Sequence, residues 1–244
     1  MNKAVIFDLD GTIYYGNTLA YYALEAIKLL EDSGYKVIFF TNNSTKTRNE
    51  ICNKLIHLNV KTEVAKVYTS SYATGKYLKE SNLKKVFLIG TESFAQELAS
   101  LNIEVVDEYS CEAVVVGLDV NFTYNTIAQG LTAIRNGAKI IASNADANFP
   151  IENGVYKPGA NAILASLLGA SKCQADYIVG KPNIYLLETI CKEWNLHKDN
   201  IWVIGDMVES DIAMANNYEC KSILVGKDGK TLEDAIKIIS GGYQ

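Results

Sequence analysis

The sequence has no block of lysine or arginine residues and no Cys-x-x-Cys pair. Its formal net charge is −5 over 244 residues, whereas binding to a phosphate backbone needs a basic face. Nucleic acid is therefore disfavoured as the main partner, although a small phosphorylated ligand needs only one local cation. The five cysteines are odd in number and widely spaced, which predicts buried free thiols in a reducing compartment rather than disulfides or metal ligands. They are Cys52, Cys111, Cys173, Cys191 and Cys220.

Long apolar runs are also absent. No segment reaches the roughly 18 apolar residues that a membrane-spanning helix needs, and residues 1–20 carry no signal-peptide pattern. The chain has no long polar linker and no short-period repeat. We therefore expect a cytoplasmic protein without a membrane partner, built as one large α/β domain or two smaller ones.

The strongest local pattern is the apolar run at residues 4–7, which ends in Asp8, Asp10 and Gly11. Four consecutive apolar residues predict a strand that is buried on both faces. Because side chains alternate along an extended segment, the two aspartates leave the strand end on the same side. Like charges this close are costly unless a cation or a proton is shared between them. The run alone leaves two alternatives: an Asp-Gly hairpin turn or an acidic functional site.

Strands and helices alternate along the chain, which indicates right-handed strand–helix–strand units and a parallel sheet. The predicted strands cover residues 4–7, 36–40, 65–68, 86–90, 103–106, 113–117, 139–143, 177–180, 201–204 and 222–225. The predicted helices cover residues 19–30, 46–58, 72–79, 94–101, 123–136, 160–168, 184–193, 210–217 and 231–239, with a turn-rich stretch at 150–158. The periodicity leaves open whether the middle of the chain is an inserted domain or a continuation of one sheet.

Polar residues follow several of these strands. Ligands of open parallel sheets bind beyond the carboxyl ends of the strands, and the second strand ends in Thr41, Asn42, Asn43 and Ser44. Such residues cap helices, and an exposed helix N-terminus also binds phosphate, so the two interpretations are compatible.

Two further acids, Asp206 and Asp211, follow the strand at 201–204. Together with Asp8 and Asp10 they form a charge density that is hard to tolerate without a divalent cation, provided that their strands are neighbours. Oxygen ligands in small number suit Mg²⁺. Lys181, placed before a proline after a strand, is the candidate cation for an anionic substrate; its alternative interpretation is a surface lysine in a turn.

These residues resemble the four motifs of the haloacid dehalogenase-like superfamily: Asp8-x-Asp10-Gly11-Thr12, Thr41, Lys181, and Gly205-Asp206 followed by Asp211. The finer resemblance is to the NagD-like branch, which includes p-nitrophenyl, pyridoxal and phosphoglycolate phosphatases. Its cues are Asp-Leu-Asp-Gly-Thr-Ile-Tyr-Tyr-Gly (8–16), Thr-Asn-Asn-Ser (41–44), Tyr-Thr-Ser-Ser (68–71), Ala-Ile-Arg-Asn-Gly-Ala (133–138), Ser-Asn-x-Asp (143–146), Lys-Pro-Gly-Ala (157–160) and Gly-Lys-Pro (180–182). They run in the expected order over nearly the whole chain.

The resemblance implies an α/β fold with a Rossmann-like core, a parallel sheet and an inserted α/β cap of the C2 type. It implies a catalytic core at residues 1–78 and 177–244 and a cap at 79–176. The implied cap closes over the site, excludes water and selects the leaving group. Branch members are often oligomeric through this cap, which leaves a homo-oligomer open.

The resemblance also implies the chemistry. Asp8 is the expected nucleophile, which forms an aspartyl-phosphate, and Asp10 the expected general acid and base. Mg²⁺ is the expected cofactor, held by Asp8, the backbone carbonyl of Asp10, and Asp206, with Asp211 in the outer shell and Glu209 as a further candidate. The expected phosphate-binding residues are Thr41, Asn42, Asn43 and Lys181. Those expected to set specificity are Ser143, Asn144 and Asp146, for which a polar turn is the alternative.

The sequence thus predicts a Mg²⁺-dependent phosphatase that acts on a small phosphorylated metabolite: a sugar phosphate, a nucleotide, phosphoglycolate or pyridoxal phosphate. Three alternatives stay open. A phosphotransferase or mutase uses the same aspartyl-phosphate, and a receiver-like regulator combines clustered acids with a Thr or Ser and a Lys. The third is a catalytically silent phosphate-binding protein, which is disfavoured because no motif residue is missing. Receiver modules are about half this length and lack an inserted domain.

Overall fold

The structure is a computed structural model that describes residues 2–107, 109–150 and 155–241 of the chain. Its strands are β1 (Lys3–Asp8), β2 (Tyr14–Tyr15), β3 (Thr18–Leu19), β4 (Tyr35–Thr41), β5 (Val67–Thr69), β6 (Lys85–Ile89), β7 (Glu104–Val105), β8 (Ala113–Val116), β9 (Lys139–Ala142), β10 (Asn148–Pro150), β11 (Tyr156–Pro158), β12 (Tyr177–Ile178), β13 (Ile201–Gly205) and β14 (Lys221–Leu224). Its helices are α1 (Ala23–Asp32), α2 (Arg48–His57), α3 (Ser70–Glu80), α4 (Glu92–Ser100), α5 (Tyr124–Arg135), α6 (Ala160–Ser171), α7 (Tyr185–Trp194), α8 (Ala213–Asn217) and α9 (Leu232–Ile239). The predicted α/β class is confirmed.

The chain forms two compact units. The first comprises Met1–Thr41, Asn49–Tyr68 and Lys181–Gln244, and the second comprises Asn42–Arg48 and Thr69–Gly180. The chain passes from one unit to the other at 41/42, 48/49, 68/69 and 180/181. The core and cap boundaries at 78/79 and 176/177 stay a prediction. Helix α3 lies in the second unit, where it packs on α4, and β12 lies there too, paired with β9.

The first unit contains a five-stranded sheet in the order β14-β13-β1-β4-β5. Its central strand, β1, runs parallel to both β13 and β4 and is buried from Ala4 to Asp8. A continuous apolar run is what a strand covered on both faces requires. The chain builds the sheet outward from β1 on one side and then returns to place β13 on the other. This reversal beside β1 is a topological switch point, the usual ligand site of such sheets.

The second unit has its own five-stranded sheet in the order β12-β9-β8-β6-β7, in which all neighbouring strands are parallel. Helices α5 and α6 pack together and against β8. Their apolar faces bury a separate core that includes Phe87, Ile89, Val114, Val116, Ile140, Ile163, Leu164 and Leu167. In the stretch predicted to be turn-rich, β10 and β11 form an antiparallel ribbon, and residues 151–154 lie outside the described residues.

Local structure departs from the sequence prediction at two places in the first unit. The helix expected from residue 19 begins at Ala23, because β2 and β3 pair across a two-residue Gly16-Asn17 turn. The helix expected over 210–217 begins as a π-helical turn, Val208–Ile212, before α8 continues it. Both departures lie next to predicted site residues.

All five cysteines are free thiols, as predicted. The prediction that they are buried is correct for Cys52 and Cys191 and wrong for Cys173, which is exposed; Cys111 and Cys220 are half-buried. Within the described ranges, the chain has no helix with the length and apolar character needed to cross a membrane.

Two adjacent leucines of α1 test the packing of the first core. Leu30 is 0% exposed and Leu29 is 43% exposed. We expect Leu30→Ala to lower the free energy of unfolding by about 2–5 kcal/mol, because it removes buried methyl groups and leaves a cavity. Leu29→Ala, the control, should stay within about 0.5 kcal/mol of the wild type. Urea denaturation measures both, and equal losses would contradict this packing of α1.

Candidate active site

Three neighbouring parallel strands release polar side chains at the same edge of the first sheet. Asp8 is the last residue of β1 and pairs in register with Phe40, so Thr41 at the end of β4 lies beside it. On the other side Phe7 pairs with Ile204, and Asp206 directly follows β13. The carboxyl ends therefore meet at the topological switch point, where ligands of open α/β sheets bind.

Lys181 lies at the centre of this edge and is only 5% exposed. Its Nζ donates to Oδ1 of Asp8 at 2.6 Å and to Oδ1 of Asp211 at 2.7 Å. The ammonium group also lies 4.5 Å from the ring centroid of Phe40, a cation–π distance. The alternative interpretation of Lys181 as a surface lysine is therefore wrong, because its charge is buried between two carboxylates.

Asp8, Asp206 and Asp211 form a compact cluster in which one carboxylate oxygen from each lies within 4.8 Å of the others. The π-helical turn carries Asp211, whose Oδ2 also accepts the backbone N–H of Met207 at 3.1 Å. Irregular turns of this kind are frequent at functional sites. Glu209, by contrast, is exposed and lies outside this cluster.

Two glycines leave room for these carboxylates. Gly11 has φ +87°, and a Cβ atom there would overlap the carboxylate of Asp206. A Cβ atom at Gly205 would overlap the carboxylate of Asp211. The Asp-Gly pair that the sequence left open as a simple hairpin turn therefore also brings the backbone close to an acidic side chain.

The buried charges shift one another's pKa values. Burial raises the pKa of Asp8 well above its usual value, and Lys181 offsets only part of this rise while Asp211 adds to it. Burial, with Asp211 next in importance, raises the pKa of Asp206 to about 6. Burial alone would lower the pKa of Lys181, but the carboxylates of Asp211 and Asp8 outweigh it and raise that pKa. One lysine thus balances only part of the negative charge of the cluster.

The cluster fits a divalent cation. It offers three converging carboxylates with one internal counter-charge, and hard divalent ions take oxygen ligands of this kind. Burial disfavours the charged forms of Asp8 and Asp206 and so raises their pKa values. A cation among these oxygens would stabilise the charged forms.

Asp10 differs from the other acids because it is exposed and its side chain lies outside the cluster. Partial loss of hydration raises the pKa of Asp10, while the positive charges of Lys54 and Lys181 oppose this rise. Thr41 donates a side-chain hydrogen bond to it. The hydroxyl of Tyr14 lies 3.5 Å from Oδ2 of Asp10.

Sequence reasoning singled out neither Tyr14 nor Lys54. Nζ of Lys54, on α2, lies 3.5 Å from the ring centroid of Tyr14. Tyr14 belongs to the first motif and could have been singled out there. Lys54 is an ordinary residue of an amphipathic helix, 44 positions after Asp10, and nothing local in the sequence marks it.

The remaining predicted residues lie in the second unit. Nδ2 of Asn42 donates to Oδ1 of Asp146 at 2.9 Å, and Nδ2 of Asn144 donates to the backbone carbonyl of Asn42 at 2.9 Å. Ser143 and Asn144 are buried, while Asp146 is half-buried. Oδ1 of Asn43 accepts from the N–H and hydroxyl of Thr45. This contact closes a turn before α2, which begins at Arg48, and is not the helix cap that the sequence left open.

Known proteins are similar to this chain in sequence. The haloacid dehalogenase-like hydrolase family model matches residues 5–104, and a HAD-hydrolase-like model matches residues 178–241. Sugar-phosphatase AraL of Bacillus subtilis is 34% identical over 228 residues, covering 91% of this chain and 82% of that protein. The 5'-nucleotidase YutF of Bacillus subtilis is 32% identical, covering 91% of this chain and 86% of that protein.

A solved structure extends the likeness to the fold. The p-nitrophenyl phosphatase from Archaeoglobus fulgidus superimposes with a TM-score of 0.87 at 28% identity, covering 99% of this chain and 94% of that one. A putative nagD protein superimposes with a TM-score of 0.90 at 27% identity, covering 96% of this chain and 97% of that one. The two family models together include Asp8, Lys181, Asp206 and Asp211. The chain belongs to the haloacid dehalogenase-like hydrolases and is a phosphatase of their NagD-like branch.

Proposed function

We propose that this phosphatase uses Mg²⁺ to hydrolyse small phosphomonoesters through an aspartyl-phosphate on Asp8. The observation that carries the proposal is the buried edge of the first sheet, where Lys181 bridges Asp8 and Asp211 and Asp206 lies beside them. Mg²⁺ bound by Asp8, the carbonyl of Asp10, and Asp206, with Asp211 in its outer shell, would offset the charge of the transferring phosphoryl group.

The side chains divide the reaction among them. A carboxylate oxygen of Asp8 attacks phosphorus, and the bond between phosphorus and the leaving oxygen breaks. Asp10 gives its proton to that leaving oxygen and then takes a proton from the water that attacks the aspartyl-phosphate. Lys181 and the hydroxyl of Thr41 stabilise the phosphoryl oxygens, together with Asn42 and Asn43. When the water attacks phosphorus, the bond between phosphorus and the Asp8 oxygen breaks, which regenerates Asp8 and releases inorganic phosphate.

We propose that the second unit is the cap and selects the leaving group. Sugar phosphates are the first substrate class to test, because AraL, at 34% identity, is a sugar phosphatase. Nucleoside monophosphates come next, because YutF is a 5'-nucleotidase; phosphoglycolate and pyridoxal phosphate complete the panel. A cytoplasmic location suits both these substrates and the free thiols.

The primary test is phosphate release from p-nitrophenyl phosphate and the metabolite panel. We expect turnover that EDTA abolishes and Mg²⁺ restores, and we expect Asp8→Asn to lower kcat at least about 1,000-fold because an amide is a poor nucleophile. Asp32→Asn, an exposed aspartate at the end of α1, is the control. Turnover that survives Asp8→Asn would refute the mechanism. Single-turnover labelling of the wild type without hydrolysis would instead favour a regulator.

The close approach of Gly11 to Asp206 gives a second test. Gly11→Ala and Gly34→Ala both place a side chain at positive φ, +87° and +79°, so each should cost about 1–2 kcal/mol of stability. Only at Gly11 does the new Cβ meet a carboxylate, since nothing lies within 4 Å of it at Gly34. We expect Gly11→Ala alone to lower kcat/KM about 100-fold or more, because it displaces Asp206. Equal activity in the two variants would contradict this role of Gly11.

Asp146 is the cap residue to test for selectivity, because its side chain holds the amide of Asn42 and is half-exposed. We expect Asp146→Ala to change KM among metabolite substrates about 5- to 50-fold while kcat on p-nitrophenyl phosphate changes less than about 3-fold. Asp119→Ala is the control, since its Oδ1 accepts the N–H of Asn121 in another loop of the same unit. An equal loss on every substrate would count against selectivity.

A further inference from the structure

The loop after β1 fixes Tyr14 relative to Asp10. The N–H of Gly11 donates to the carbonyl of Tyr14 at 2.9 Å, and the N–H of Tyr14 donates to the carbonyl of Leu9 at 3.2 Å. The ring of Tyr14 is 1% exposed and belongs to the core of the first unit. Its hydroxyl, 3.5 Å from Oδ2 of Asp10, is therefore a buried donor aimed at an exposed carboxylate. Hydrogen bonds at catalytic groups are often this long before substrate binds.

The ammonium group of Lys54 contacts the ring of Tyr14. Its helix is anchored by Ile51 and Leu55, which are buried in the same core as Tyr14. Nζ of Lys54 lies 3.5 Å from the ring centroid of Tyr14, well inside the range of a cation–π interaction. Lys54 and Asp10 also attract each other electrostatically. The cation, the phenol and the carboxylate thus form one chain of contacts within the first unit.

We propose that Tyr14 and Lys54 are positioning residues for Asp10. The hydroxyl of Tyr14 fixes Oδ2 and so sets the orientation of the carboxyl group, and Lys54 holds the ring and polarises its O–H bond. This inference rests on the proposed function, in which Asp10 passes the proton to the leaving oxygen.

A fixed carboxyl group would serve both proton transfers of Asp10. In the proposed function Asp10 loses its proton to the leaving oxygen and regains one from water, and a carboxyl group held in one orientation is placed for both steps. A phenylalanine would fill the same core space, so packing alone does not explain the hydroxyl beside Asp10.

Substrates that differ only in their need for a proton separate positioning from packing. p-Nitrophenolate leaves readily without a general acid, whereas an alkoxide does not. For Tyr14→Phe we expect kcat/KM to fall about 10-fold on the alkyl phosphate that the wild type hydrolyses best, and less than about 2-fold on p-nitrophenyl phosphate. kcat/KM is the correct quantity because it reports steps up to release of the leaving group.

Lys54 gives an independent arm. Lys54→Met, which keeps the aliphatic contact and removes the charge, should lower kcat/KM on the alkyl phosphate about 3-fold, and Lys54→Arg should restore most of it. The matched controls carry the same contacts elsewhere. The controls are Tyr72→Phe and Lys36→Met. In the wild type the ring centroid of Tyr72 lies 3.5 Å from Cζ of Arg48, and Nζ of Lys36 lies 4.8 Å from the ring centroid of Trp194. Both controls should leave the ratio of the two substrates unchanged.

Each outcome decides the proposal. Equal losses on both substrates, or no loss on either, would overturn it while leaving the phosphatase mechanism intact. A wild type that hydrolyses neither substrate would overturn the proposed function as well. Thermal melting checks that the variants fold; if Tyr14→Phe does not, the pair Lys54→Met and Lys54→Arg tests the proposal instead, and failure of arginine to rescue would refute positioning by Lys54.

Discussion

The buried ammonium group of Lys181 is the contact on which the rest of the site depends. It joins Asp8 at the end of the central strand to Asp211 on the π-helical turn, through hydrogen bonds of 2.6 and 2.7 Å. Burying a carboxylate costs several kcal/mol unless it is paired and hydrogen-bonded. Removing the lysine would therefore leave two buried acids facing each other. The sheet brings these groups together, and the lysine pairs with both carboxylates.

The same lysine leaves the site with an excess of negative charge, and this excess suits its chemistry. Asp206 has a pKa of about 6 because burial and Asp211 disfavour its charged form. A divalent cation held by these carboxylates would relieve that repulsion and would offset the charge of a phosphate. The glycines at 11 and 205 contribute by shape, since any larger residue would meet the carboxylates. The glycines thus leave room for the carboxylates, and the negative charge of these carboxylates suits a divalent cation.

A polar loop of the second unit holds Asn42 through two hydrogen bonds. Ser143 and Asn144 are buried, and Asn144 holds the backbone of Asn42. Asp146 holds the amide of the same residue while staying half-exposed. Because Asn42 directly follows Thr41, the polar loop of the second unit is tied to the chain that leaves β4. Under the proposed function, substitutions in this loop would alter substrate preference and leave the acidic cluster of the first unit in place.

The sequence by itself determined the α/β class, the buried run of β1 and the positions of Asp8, Thr41 and Asp206 at strand ends, because burial and alternation are local patterns. Tertiary structure decided what no local pattern encodes. It placed Asp8, Lys181 and Asp211 in contact, because their separation depends on the order of strands in the sheet. It brought Lys54 against Tyr14 across 40 residues of chain. It also formed the π-helical turn, in which Oδ2 of Asp211 accepts the N–H of Met207, and hydrophobic period does not encode such a turn.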